Sequence, residues 1–167
     1  MTTNVDLGGE TLLVKSVKTG FNAPGSGLSL TSASLAANTV NSGSALTLTA
    51  ELHSGVIVNL NNATGAITLP AATGTGNVYT VFVTVASTAA TITAVGSDKI
   101  AGVAVMGTAA GTSPNAFSIA TGTTITMNGT TKGGVVGSTI YLTDIASALW
   151  SVEANMLGSS TPVTPFT

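Results

Sequence analysis

Val78-Tyr79-Thr80-Val81-Phe82-Val83-Thr84-Val85 places Tyr79, Val81, Val83 and Val85 on one side of an extended chain. That two-residue period is the signature of a strand with one buried face. The uncharged run continues to Val95 and closes on Gly96-Ser97-Asp98-Lys99. Its alternating threonines and valines argue for strands rather than a membrane-spanning helix.

The same period recurs on both sides. Upstream, Leu46 and Leu48 alternate with Thr47 and Thr49, Val56, Val58 and Leu60 share a face, and Ile67 and Leu69 lead into Pro70, which should end its strand or mark an edge. Downstream, Ile92 with Ala94, Ile125 with Met127, Ile140 with Leu142, and Trp150 with Val152 continue the series. Eight to ten short strands separated by Gly, Asn, Pro and Ser predict an all-β fold, an antiparallel β-sandwich or jelly-roll-like barrel. Asn62-Ala63-Thr64-Gly65 reads as a turn with a position open to positive φ, and Asn128-Gly129 as a two-residue hairpin. Asp144 to Leu149 reads as one helical turn capped by Thr143 or Asp144. The organisation predicted is an extended N-terminal arm over 1–44, a β domain over 45–156 and an extended C-terminal tail over 157–167. In the arm, Thr11 to Lys18 reads as a short strand in need of a partner. Pro162 and Pro165 preset the course of the tail.

Charge narrows the function. Only 6% of the 167 residues are charged, against roughly 25% in ordinary soluble domains, so Thr, Ser, Asn and Gly must form the surface. Thr19–Ala50 and Ser54–Ser97 contain no Asp, Glu, Lys or Arg. The cations are Lys15, Lys18, Lys99 and Lys132, too scattered to track a phosphate backbone, so no nucleic-acid partner is expected. The first ten residues lack a cationic start and an apolar run, so no secretory signal is expected and the mature chain is expected to begin at Met1. Without cysteine there is no disulfide framework and no thiolate chemistry.

Catalytic and metal readings have little to build on. His53 is the only histidine, and on a strand it would share a face with Glu51 while Ser54 pointed away, which disfavours a triad. One imidazole with six scattered acids supplies no usual zinc or calcium set, so no cofactor is expected. Gly74-Thr75-Gly76 and Gly133-Gly134-Val135-Val136-Gly137 open no helix and lack the Lys-Ser/Thr ending of a phosphate loop, so they read as tight turns. The sequons at Asn62 and Asn128 are likewise assigned to turns. Trp150, Tyr79 and Tyr141 are assigned to core or subunit-interface packing.

Two segments carry a family resemblance. Gly55-Val56-Ile57-Val58-Asn59-Leu60-Asn61-Asn62-Ala63-Thr64-Gly65-Ala66-Ile67-Thr68-Leu69-Pro70-Ala71-Ala72, followed by Gly74-Thr75-Gly76-Asn77-Val78-Tyr79, resembles a β module of tailed-bacteriophage virion proteins. The set Thr124 to Gly137, Tyr141-Leu142-Thr143-Asp144-Ile145-Ala146-Ser147-Ala148-Leu149-Trp150 and Thr161-Pro162-Val163-Thr164-Pro165-Phe166 is similar to small head-decoration and other virion structural proteins. The resemblance spans about residues 46 to 167. It implies a non-enzymatic capsid decoration (head cement) protein, a homotrimer on the outer surface of the virion that bridges neighbouring major capsid proteins, with no membrane partner. Val5, Leu7, Leu12, Leu13 and Val14 of the arm, and Val163, Pro165 and Phe166 of the tail, are the contacts expected with capsid or neighbouring subunits. The alternative is a fibre or appendage module that offers a variable outer loop, Ala101 to Thr121, to host-surface glycans. A glycan-cleaving spike enzyme would need paired carboxylates and is the weakest reading.

Overall fold

The computed structural model describes residues 39–108 and 113–167. The chain is mostly β, with two mixed sheets around one shared core. Its strands are β1 (Thr39–Asn41), β2 (Ala45–Thr47), β3 (Ile57–Leu60), β4 (Ala66–Thr68), β5 (Val78–Val83), β6 (Ala90–Thr93), β7 (Lys99–Thr108), β8 (Asn115–Gly122), β9 (Thr124–Met127), β10 (Thr139–Ala146) and β11 (Leu149–Gly158). A single helical turn, α1 (Ala50–His53), follows β2. The larger sheet has the order β1-β3-β5-β10-β11-β7-β8 and the smaller β2-β4-β6-β9.

The first six strands alternate between the sheets, so strands that neighbour one another within a sheet run parallel. β1 pairs with β3 and β3 with β5, while β2 pairs with β4 and β4 with β6, all parallel. Three coils therefore stack as in a solenoid, each crossing from the larger sheet to the smaller at a corner. The expected antiparallel sandwich is corrected here: between the named strands, antiparallel pairing is confined to β5–β10, β10–β11, β7–β8 and β6–β9. Period two identifies a strand and its buried face but carries no information about direction or sheet membership.

The corners stack on one another. Ala66 N–H donates to Ser44 O and Gly43 N–H to Asn61 Oδ1, which joins the first two corners. Thr88 N–H donates to Ala63 O at 2.7 Å and Thr91 N–H to Gly65 O, which joins the second and third. Asn62 Oδ1 accepts from Thr64 N–H, so Asn62 forms the turn expected of it. Gly65 serves by its size and not by positive φ, since a Cβ there would come within 2.7 Å of Leu60 Cδ1.

Register turns the apolar alternation into ladders. In the smaller sheet Leu46, Ile67, Ile92 and Ile125 stand opposite one another in sequence, and a bridge from Ile125 to Phe166 extends the ladder into the tail. In the larger sheet Val58, Val81, Ile140, Ala154, Ala104 and Phe117 form one row across six strands. Each large aliphatic removed from water in such a row contributes about 1.5–3 kcal/mol. Trp150 is fully buried and meets Tyr79 edge to face, with ring centroids 5.5 Å apart. Val85, expected on the same face as Tyr79, lies past the end of β5 and is exposed.

Three local expectations are corrected. Asp144 to Leu149 is no helix: β10 runs to Ala146 and turns into β11 through Ala148, whose φ is 58°. Asn128-Gly129 does not close a hairpin, because β9 and β10 belong to different sheets; Asn128 Oδ1 instead accepts from the N–H groups of Thr130 and Lys132. Most of Ala101–Thr121 is ordered as β7 and β8, a hairpin at the edge of the larger sheet, and not as a variable outer loop.

Gly102 sits opposite Val152 in the parallel β7–β11 pair, at φ 147°, where a Cβ would collide with the Val152 carbonyl oxygen. Gly102→Ala is expected to cost about 3 kcal/mol through backbone displacement and strain. Urea midpoints of the two proteins at equal m-value measure it.

Candidate functional site

Two places among the described residues bring polar or exposed apolar groups together. The first lies between β4 and β5, where the loop carrying Gly74-Thr75-Gly76 folds around the Asp144 carboxylate. Oδ1 accepts from the backbone N–H of Thr73 (2.9 Å) and Gly74 (2.7 Å). Oδ2 accepts from Thr75 N–H (3.1 Å), Thr75 Oγ1 (2.7 Å) and Thr73 Oγ1 (3.3 Å). Successive backbone N–H groups aimed inward make an anion-binding concavity, and Asp144 of the same chain fills it. Gly74 holds φ 77° with Ala146 Cα only 3.3 Å from where a Cβ would lie, so this loop must pass close to the β10–β11 turn. Burial alone would push the Asp144 carboxyl upward; the hydrogen bonds from Thr75, Gly74 and Thr73 outweigh it and bring the pKa down from 3.8 to about 2. Burial raises the Tyr79 phenol, and the negative charge on Asp144 adds to the rise.

A second buried carboxylate ties down the same loop. Asp98 Oδ2 accepts from Ala72 N–H at 2.7 Å, and Ala148 N–H donates to Ala72 O. The two acids thus fix this loop at two points, Asp98 at the start of β7 and Asp144 near the end of β10. His53 is buried in α1, and its Nδ1 accepts from Thr49 N–H at 2.9 Å, while Ser54 Oγ donates to Asn77 Oδ1. The strand geometry considered for Glu51 and His53 does not apply, because α1 folds the imidazole inward. Among the described residues no three His, Asp or Glu side chains come together as a metal set, and no helix is long and apolar enough to cross a membrane.

The second place is the outward face of the larger sheet. Strand alternation puts Ile57, Val78, Phe82, Val103, Val105 and Tyr141 there, each between 36 and 42% exposed. Thr80, Thr139, Asn155 and Ser118 lie between them in register, and Glu153 stands between Tyr141 and Val103 as the lone charge in its row. A shallow groove of about 380 Å³ runs along β7 and β11, lined among others by Val103, Val105, Ser151, Glu153 and Asn155. A patch of exposed apolar groups on one sheet face, with one carboxylate, is suited to contact with another surface.

The expected contact residues fall in different places. Val5, Leu7, Leu12, Leu13 and Val14 lie outside the described residues. Pro165 and Phe166 are buried within this chain: Thr126 N–H donates to Pro165 O, and Thr167 and Thr124 exchange backbone hydrogen bonds, so the tail adds to the β9 edge. Val163 alone of the three tail residues is exposed, at 44%. Tyr79 and Trp150 are core, whereas Tyr141 faces outward. The sheet face was missed because its members are the "other" residues of strands read for their buried side. Comparison with protein-family models, with curated proteins and with solved structures finds no match for this chain.

Asp144→Asn is expected to lose about 2 kcal/mol, because a neutral amide turns a donor toward a ring of donors. Since the folded pKa is depressed, the advantage of the parent over the variant should be complete above about pH 4 and shrink as pH falls toward about 2. Denaturant unfolding of both proteins across that range measures it.

Proposed function

We propose that this chain is a non-enzymatic structural protein of a tailed-phage virion, which decorates the outside of the capsid as a homotrimer and stabilises the shell by bridging major capsid proteins. The observation that carries the reading is the outward face of the larger sheet, where Phe82, Tyr141, Val103 and Val105 are exposed around a single carboxylate. Such a face can be covered by another protein with little desolvation of ions, and its attachment should resist salt. The sandwich-like body and the N-terminal arm form part of the same reading, with the arm and Val163 as further contacts. The resemblance of residues 46–167 to virion proteins supplies the viral context.

A second reading is a glycan-binding appendage module. It is favoured by Tyr141, exposed on β10 opposite Glu153, which with Asn155 lines the groove; an aromatic face near hydrogen-bonding groups is of the kind that grips sugars. Copy number separates the two. Quantitative mass spectrometry of purified particles should give one trimer per local three-fold position under the decoration reading, and a few copies under the appendage reading. Phe82→Glu with Val105→Glu should weaken capsid attachment at least tenfold and leave the unfolding midpoint within a few degrees. Unchanged attachment, measured by co-sedimentation with undecorated particles, would remove the sheet face from the proposal.

A further inference from the structure

The four sheet edges are not treated alike. β1 and β2 are three residues long, and β9 is covered by the tail through Thr124, Thr126 and the Ile125–Phe166 bridge. Short strands and covered edges are the ordinary protections against unwanted pairing. β8 is the exception: eight residues, with no Asp, Glu, Lys or Arg and with Asn115, Ala116, Ser118, Ala120 and Thr121 exposed. Pro114 precedes it, and a bulge against Ile100 and Gly102 interrupts its far end. Between these limits Asn115–Ile119 runs regularly beside β7.

We propose that this edge pairs with the same edge of a second copy, antiparallel, about a two-fold axis at Phe117. An edge strand is self-complementary in that arrangement, since each copy offers the N–H and C=O groups that the other lacks. Opposed residues of an antiparallel pair share a face, so the axis must pass through a residue for buried positions to meet buried positions. Phe117 is the midpoint of the regular run. Phe117 and Ile119 are half-buried against the core at its open side, and the second copy continues that core across the edge. Phe117 then meets Phe117 of the partner subunit, and Ala116 faces the partner's Ser118. The two seven-stranded sheets become one, with their outward faces contiguous. A five-residue strand pair falls short of the roughly 1,200 Å² that stable complexes bury, so the contact is weak between free molecules and strengthens where copies are held close together.

The absence of cysteine makes the register testable in the full chain. Ala116→Cys and Ser118→Cys are made as separate proteins, both at exposed positions. Opposed Cα atoms lie about 4.5–5.5 Å apart, within disulfide range, whereas like positions are diagonal. Under mild oxidation an equimolar mixture should give at least tenfold more cross-linked dimer than either protein alone. In the parent protein, amide exchange within Asn115–Ile119 should slow as concentration rises. Equal cross-linking in the mixture and in the single proteins, or none, overturns the pairing. Protection that depends on adding a different virion protein assigns the edge to that protein and also overturns it.

Discussion

The carboxylate of Asp144 joins two halves that are built on different rules. On one side are three parallel coils, in which β1 to β6 shuttle between the sheets. On the other is the antiparallel β10–β11 hairpin, which enters the larger sheet beside β5. Where they meet, the loop after β4 has backbone N–H groups that no strand can satisfy, and Asp144 accepts from three of them. A buried charge is tolerable only when fully paired by donors, and here the pairing is local, dense and charge-assisted. Tyr79 and Trp150 pack edge to face within the core that this junction closes, although Trp150 Nε1–H has no hydrogen-bond partner. Burial of that indole is therefore driven by its apolar area and ring contact.

The strands were legible because alternation reports burial directly. Val58, Leu60, Tyr79, Val81, Ile92, Ile125 and Trp150 all face the core as their spacing predicts. The topology was not legible. Asn62 to Gly65 has the composition of a turn whether it folds a hairpin or moves the chain to a second sheet; the outcome depends on Ala63 and Gly65 accepting hydrogen bonds from a later corner. Asp144 looks like a helix cap because an acid before Ile-Ala-Ser-Ala-Leu is the usual cue, yet its partners lie some seventy residues earlier in the chain. The Gly-rich loop was read as a plain turn for the same reason. It does cradle an anion, and only the fold identifies which one.

The functional reading rests on a set of exclusions plus a resemblance, to which the sheet face adds a physical basis for association. Low charge has two consequences in this chain. Buried acids are few, and each is held by donors of the chain: Asp98 by Ala72 N–H, and Asp144 by three backbone N–H groups and two hydroxyls. Exposed surface is left to Thr, Asn and small apolar groups, so contact with another protein would displace weakly held water more than ions.

The parallel pairing of β7 with β11 bears on how the chain reaches its structure. Lys99 to Thr108 lie in register with Leu149 to Gly158, yet β8, β9 and β10 intervene in sequence. Each coil, by contrast, closes on the one before it across a single strand, and β10 and β11 meet across a tight turn. Loop-closure entropy thus opposes the β7–β11 seam, as it does the still longer-range β5–β10 seam, while the coils and the hairpin are comparatively local. Until the β7–β11 seam closes, both strands offer ten-residue unpaired edges, so the time the growing chain waits there sets its exposure to misassembly.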